Sequence, residues 1–322
     1  MNNGRLRILI VHSTGITQER VAMLQRQRSP VEFIAVSDTK KEIFDALEGV
    51  NAMIGCPRSF FGAELLQKAS PSLQWVHVNG AGCEEFLIPE LIQSTIVLTN
   101  GRVIQGPEVA DHALALLLTL TRNIHYVLRG STEGMPRPLE LRGKIATVVG
   151  VGGIGMLIAE RLRACGMRVW GIDDQYVPMI QAIEQQYLPS AWEHALSQSE
   201  VVVNATPVTP RTRKMFGQRE FMAMKRSCFF VNVSRGVIVD TEALVQALRT
   251  GTIAAAGLDV TDPEPLSADH PLRVMPNVVI TPHIAGPSDH NRERSLVLIE
   301  QNIERFISGQ PLLNIVDKQL HY

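Results

Sequence analysis

The chain has 322 residues, of which 45% are hydrophobic and 20% charged, with a formal net charge of -1. That is the composition of a soluble globular protein of about two domains, and so small a net charge offers no footprint for nucleic acid or an anionic membrane. Cys56, Cys83, Cys165 and Cys228 are scattered and form no C-x-x-C pair, which argues against a zinc site or a disulfide framework and fits reduced thiols in a cytoplasmic protein.

From the N-terminus, the apolar run within Arg5–His12 is too short for a signal-peptide core and reads as a first buried strand, Ile8–Val11. Strand patterns at Glu32–Val36, Ala52–Ile54 and Leu73–Val78 alternate with helical patterns at Thr17–Arg26, Lys41–Leu47 and Ala63–Ala69. Such alternation means βαβ units and a parallel sheet. No glycine-rich phosphate loop follows the first strand of this part. Pro107 then opens a long helix whose apolar positions run from Val109 to Leu128. Its longest apolar stretch, Ala113–Leu120, is far below the ~20 residues of a membrane helix. After a polar turn over 130–138 the alternation resumes, with strands near Ile145–Val149, Met167–Ile172, Val201–Asn204, Cys228–Val233, Ala254–Leu258 and Val278–Thr281. A final amphipathic helix is expected over Asp289–Phe306. The pattern predicts two α/β domains.

The second series carries Gly150-Val151-Gly152-Gly153-Ile154-Gly155 between a β-branched strand and a helix. In that context G-x-G-x-x-G is a dinucleotide loop. Gly150 allows the tight turn, Gly152 lets the backbone approach a pyrophosphate, and Gly155 lets helix and strand pack closely. The helix N-terminus offers amides and a positive dipole end to phosphates. Asp173 follows 18 residues after Gly155, placed to bond both ribose hydroxyls, and Asp174 adds a second acid. With no arginine in the next few residues to offset them, NAD is expected rather than NADP.

Three later segments place polar residues at strand ends. Arg235, in Val231-Asn232-Val233-Ser234-Arg235-Gly236, has the planar fork that suits a carboxylate. Glu264 is flanked by Pro263 and Pro265, which restrict its backbone; Asp259, earlier in that segment, either caps a turn or bonds a ligand amide. His283, in Thr281-Pro282-His283-Ile284-Ala285-Gly286, is a candidate general acid/base. His12, His77, His112 and His125 make weaker cases, and no histidine spacing points to a metal.

This ordered set resembles the D-isomer-specific 2-hydroxyacid dehydrogenase family. The likeness begins near Leu73-Gln74-Trp75-Val76, is strongest from Leu141 to Gly286, and recurs in Asn314-Ile315-Val316-Asp317. It implies two Rossmann-like domains with parallel sheets: a discontinuous flavodoxin-like substrate domain (1–101 and 287–322) and a dinucleotide-binding domain (102–286). It implies hydride transfer between NAD(H) and a small 2-oxo or D-2-hydroxy acid in the cleft between them. Arg235 would bind the substrate carboxylate, and His283 would protonate the carbonyl oxygen. Glu264 would pair with His283 and favour its imidazolium form. The amides of Ala81 and Gly82 would face the substrate. The cofactor would meet Gly150, Gly152, Gly153, Ile154, Gly155, Asp173, Thr206, Pro207, Val233, Ser234, Arg235, Asp259, His283 and Gly286. A homodimer, no metal, no nucleic acid and no membrane are further expectations. Thr261, Asp111, Gly153 and the short 130–138 turn depart from the family pattern without removing a catalytic group. An NAD-sensing corepressor-like protein and a formate- or phosphonate-type dehydrogenase are the alternatives. Arg58, before the substrate loop, is read as a surface residue rather than a contact for an anionic substrate tail.

Overall fold

The computed structural model describes residues 5–12, 15–28, 31–130, 132–176 and 181–322. The chain divides into two compact units, Met1–Ile104 with Ser288–Tyr322, and Gln105–Pro287.

The first unit contains β1 (Arg7–Val11), α1 (Gln18–Gln27), β2 (Glu32–Val36), α2 (Lys40–Asp45), β3 (Ala52–Ile54), α3 (Ala63–Ala69), β4 (Trp75–His77), α4 (Pro89–Gln93) and β5 (Val97–Thr99). The strands pair in parallel in the order β2-β1-β3-β4-β5, the flavodoxin-like order. β1 shows why a parallel strand reads as a continuous apolar run. Leu9 and Val11 enter the core on one face, and Ile8 and Ile10 the core on the other.

The second unit contains α5 (Gly106–Thr121), α6 (Ile124–Leu128), β6 (Ile145–Val149), α7 (Gly153–Ala164), β7 (Arg168–Ile172), β8 (Gln185–Tyr187), α8 (Trp192–Gln198), β9 (Val201–Asn204), α9 (Gln218–Ala223), β10 (Phe229–Asn232), α10 (Thr241–Arg249), β11 (Ala255–Leu258) and β12 (Val278–Ile280). A last helix, α11 (Asn291–Ile307), returns to the first unit, where Ile299 and Ile303 pack with Ile8 and Ile10. The second sheet runs β12-β11-β10-β9-β6-β7-β8, all parallel. This is the doubly wound dinucleotide order with one added strand. Its order reverses between β6 and β9, so the loop after β6 lies at the switch point where such sheets bind ligands.

Two differences from the sequence expectation have clear causes. The long helix breaks at Asn123, whose backbone is left-handed (φ 58) and whose Nδ2 donates to Pro136 O at 2.6 Å. The apolar spacing runs on through Val127 and Leu128, so periodicity hides the break. Edge strand β8 reads Gln-Gln-Tyr and has no apolar signal; it forms because β7 offers it a free edge. Ser131, in the expected 130–138 turn, lies outside the described residues.

At the end of β4, His77 is fully buried. Thr99 Oγ1 accepts from Trp75 Nε1 at 2.8 Å and lies 2.8 Å from His77 Nδ1. A hydroxyl has one proton and two acceptor lone pairs, so Thr99 serves either tautomer of the neutral imidazole. Burial pushes its pKa down to about 4 from 6.5. The folded state thus takes up its proton at lower pH than the unfolded chain does. The stabilisation is complete above pH 6.5 and is lost as pH falls toward 4, by roughly 3 kcal/mol. In urea unfolding followed against pH, His77→Gln is expected to show a shallower acid loss than the wild type between those limits; parallel curves would refute this.

Candidate active site

The glycine loop leaves the end of β6. Gly150 has φ +87 and donates its N–H to Ile172 O at 2.8 Å. A Cβ there would lie 2.8 Å from the Ala205 carbonyl carbon and from Thr206 N, and one at Gly155 would lie 1.9 Å from Gly150 O. Neither position admits a side chain. Gly152 differs: a Cβ there would meet nothing within 4 Å. It caps α7, which has no side-chain cap and no acid in its first turn. The amides of Gly153, Ile154 and Gly155 begin that helix and have no i−4 carbonyl. A 12-residue helix with an uncapped N-terminus facing open space fits a pyrophosphate. Asp173 leaves the adjacent strand end. One carboxylate oxygen accepts from Val151 N at 2.7 Å and the other from Gln175 N at 3.1 Å. The acid is thereby held against the glycine loop. Asp174 is paired with Arg211 at 2.5 Å, so the cation missing from the local sequence arrives from the loop after β9.

The next two strand ends carry a buried polar ladder that sequence reading overlooked. Asn204 and Asn232 face each other in register on β9 and β10, and Asn204 Nδ2 donates to Asn232 Oδ1 at 3.0 Å. Asn204 Oδ1 accepts from Thr206 Oγ1 at 2.7 Å and from Thr206 N at 3.2 Å. Asn232 Oδ1 accepts from Ser234 N at 3.2 Å, and its Nδ2 donates to Arg235 O at 3.1 Å. Ser234 Oγ in turn donates to Thr206 O. This ladder shapes the Thr206-Pro207 turn and the Val233–Arg235 turn together. The signal for it was asparagine as the last residue of two otherwise apolar strands. Arg235 is half-buried, with Nη1 donating to Ser234 O at 2.8 Å. A Cβ at Gly236 would lie 2.0 Å from the Thr261 carbonyl carbon and oxygen and 2.6 Å from Asp262 N. Backbone against backbone, Gly236 joins the Arg235 turn to the segment that leads to Glu264.

His283 Nδ1 lies 2.6 Å from Glu264 Oε1, both side chains being about 40% exposed. Its backbone is left-handed, φ 54, and its N–H donates to Asp259 O at 2.9 Å. Asp259 is buried. Burial pushes its carboxyl pKa up, but hydrogen bonds from His112, Thr281 and the amides of Ile284 and Ala285 outweigh it and bring the pKa to about 2. Any cofactor contact of Asp259 has to share oxygens that already serve four donors. Gly286 lies at the end of this loop, against the side chain of Gln105.

Ala81 and Gly82 belong to the first unit, in the loop after β4. Asn100 Nδ2 donates to Ala81 O at 2.7 Å, and Gly101 N to Gly80 O at 2.9 Å. Arg58 lies near this loop, its Nη1 3.7 Å from Glu85. Among the described residues no group of three His, Cys, Asp or Glu side chains is placed to hold a metal, and no helix is long and apolar enough to cross a membrane.

Residues 114–285 match the family model described as D-isomer specific 2-hydroxyacid dehydrogenase, NAD binding domain. The chain belongs to that family. It is 31% identical over 292 residues to a glyoxylate reductase of Korarchaeum cryptofilum, covering 88% of this chain and 87% of that one. It is also 31% identical over 307 residues to a D-3-phosphoglycerate dehydrogenase of Archaeoglobus fulgidus, covering 94% of this chain and 58% of the other. A D-isomer specific 2-hydroxyacid dehydrogenase of Xanthobacter autotrophicus, solved with NADPH and MES, superposes with TM-score 0.79 at 27% identity, covering 98% and 99% of the two chains. As a member of this dehydrogenase family the protein is an oxidoreductase that uses a nicotinamide dinucleotide.

Gly236→Ala forces the Arg235 turn away from Thr261. Overpacking of this kind costs about 1–3 kcal/mol. The variant is expected to melt several degrees below the wild type and to lose about 100-fold in kcat/KM, the penalty of a displacement of about 1 Å near a reacting centre; wild-type values for both would refute the packing argument.

Proposed function

We propose that the protein is an NAD-dependent reductase of small 2-oxo acids, converting them reversibly to D-2-hydroxy acids. The single observation that carries this is the 2.6 Å His283–Glu264 pair, presented from the same sheet edge as Arg235 and the glycine loop. A proton donor braced by a carboxylate, an arginine and a dinucleotide loop form the set that reduction of a 2-oxo acid needs. The Gln105–Pro287 unit then binds the dinucleotide, and the Ala81 and Gly82 amides are assigned to the substrate on the family resemblance.

Reduction adds a hydride to the carbonyl carbon and a proton to its oxygen. A nicotinamide dinucleotide held at the glycine loop would supply the hydride. Glu264 accepts a hydrogen bond from His283 Nδ1–H and so turns Nε2 toward the substrate oxygen as the proton donor. Arg235 pairs with the substrate carboxylate and stabilises negative charge developing on the neighbouring oxygen. In the oxidative direction His283 takes the proton back. Asp173, pinned by Val151 N and Gln175 N, favours a free ribose 2′-hydroxyl over a 2′-phosphate. The nearby Arg211 does not reverse this, because Asp174 neutralises it. The exposed apolar side chains of Val127 (63%) and Leu128 (80%) on α6 support a homodimer.

NADH oxidation is to be followed with glyoxylate, hydroxypyruvate, pyruvate, phenylpyruvate and branched 2-oxo acids. Turnover of at least one is expected; failure with all, while NADH still binds, would refute the reading. His283→Ala should lower kcat by about 10²–10⁴-fold with NADH affinity nearly unchanged, and lost cofactor binding would speak against its role as proton donor. The preference for NADH over NADPH in kcat/KM should exceed about tenfold and should shrink in Asp173→Ser; equal efficiency in the wild type overturns the assignment to Asp173.

A further inference from the structure

Donor counting settles the protons in a small cluster at the ends of β11 and β12. Thr281 Oγ1 lies 2.7 Å from Asp259 Oδ1 and 2.8 Å from His112 Nε2. An ionised carboxylate only accepts, so the hydroxyl gives Asp259 its one proton. His112 must then donate from Nε2–H. The same nitrogen is 3.3 Å from Asp259 Oδ1, within reach of both oxygens. His112 stands on α5, a helix that packs on β10, β11 and β12, so a separate element braces the cluster.

The braced residue holds three consecutive amides. Asp259 O accepts from His283 N at 2.9 Å, Oδ1 from Ile284 N at 2.9 Å, and Oδ2 from Ala285 N at 3.1 Å. His283 is left-handed (φ 54), a conformation that a non-glycine residue keeps only when its surroundings impose it. The Asp259 grip is what imposes it, and His112 and Thr281 orient that grip.

We propose that His112 is a positioning residue for His283: through Thr281 and Asp259 it holds the backbone turn that presents the imidazole to Glu264. The catalytic consequence rests on the reaction proposed above; the structural coupling does not, and the test separates the two. Protein labelled with ¹⁵N and ¹³C in histidine gives the His283 imidazole signals, assigned by their loss in His283→Gln. In His112→Leu and in Thr281→Val, the His283 Nδ1–H signal is expected to broaden or shift. In both, kcat should fall about 10–100-fold while KM for NADH stays within about twofold, the split expected when the reacting group alone is displaced. His112→Gln, which keeps an N–H at similar reach, should restore signal and kcat. An unchanged His283 signal in His112→Leu or Thr281→Val overturns the proposal. So does a His112→Gln enzyme as impaired as His112→Leu, or failure of both disabling variants to fold, which would make the contact purely structural. A wild type that turns over no 2-oxo acid sinks the proposed reaction instead, and the imidazole signals still report the coupling.

Discussion

All seven strands of the second sheet finish at one level. Val149, Ile172, Tyr187, Asn204, Asn232, Leu258 and Ile280 are aligned across the parallel ladders. Gly150, Gly152, Asp173, Thr206, Pro207, Arg235, Asp259 and His283 each lie within three residues of one of these ends, whereas Glu264 lies farther along its loop. The alignment is a property of backbone hydrogen bonding, and it gathers at one edge residues that lie more than a hundred positions apart in the chain. Neighbouring strands are only about 4.8 Å apart, so the loops leaving them compete for space. Glycine resolves the competition where backbone meets backbone: at Gly150 against Ala205, at Gly155 against Gly150, and at Gly236 against Thr261. The glycines of the dinucleotide motif and the glycine after Arg235 therefore answer the same constraint, although only the former are usually read as a motif.

The second requirement is to satisfy the polar groups that this crowding buries. Asn204 and Asn232 do so on the central strands, and Asp259 does so beside them. Each of these side chains is buried; the two asparagines bond the backbone of the loop that follows them, and Asp259 bonds amides of the loop after the neighbouring strand β12. They stabilise loop shapes rather than the sheet. Asp259 has the strongest case, because donors from His112, Thr281 and two amides outweigh the cost of its burial. Glu264 and His283, by contrast, are about 40% exposed. Rigid buried acceptors below and an accessible His283–Glu264 pair above suit the acid/base role proposed for His283.

Legibility followed the range of the interactions. The glycine loop could be read because a strand, a turn, a helix start and a following acid all fall within about thirty residues, the scale of one βαβ unit. Four strands of the first sheet and six of the second could be read because burial on both faces leaves continuous apolar runs such as Ile8–Val11 and Val201–Val203, whereas the three-residue β5 was missed. β8 could not, because an edge strand reading Gln-Gln-Tyr carries no such run. Nor could the break at Asn123, since the apolar period continues past it and a side-chain bond to Pro136 secures the turn. Arg211 was hidden for the same reason: its partner Asp174 lies 37 residues earlier.

The sequence by itself determined the two α/β domains, the dinucleotide loop with its acid, and the identity of Arg235, Glu264 and His283 as the residues to examine. Those features rest on local periodicity and on residue types whose chemistry is intrinsic. The tertiary structure sets the His283–Glu264 pair, implied by the family resemblance, at 2.6 Å, and it alone decided that Asp173 is tied to the glycine loop and that His112 on a distant helix reaches Thr281 and Asp259. Each of these is a hydrogen bond between segments that the sheet brings together. Such a bond depends on positions to within a few tenths of an ångström, and no spacing along the chain encodes that until the strands are aligned.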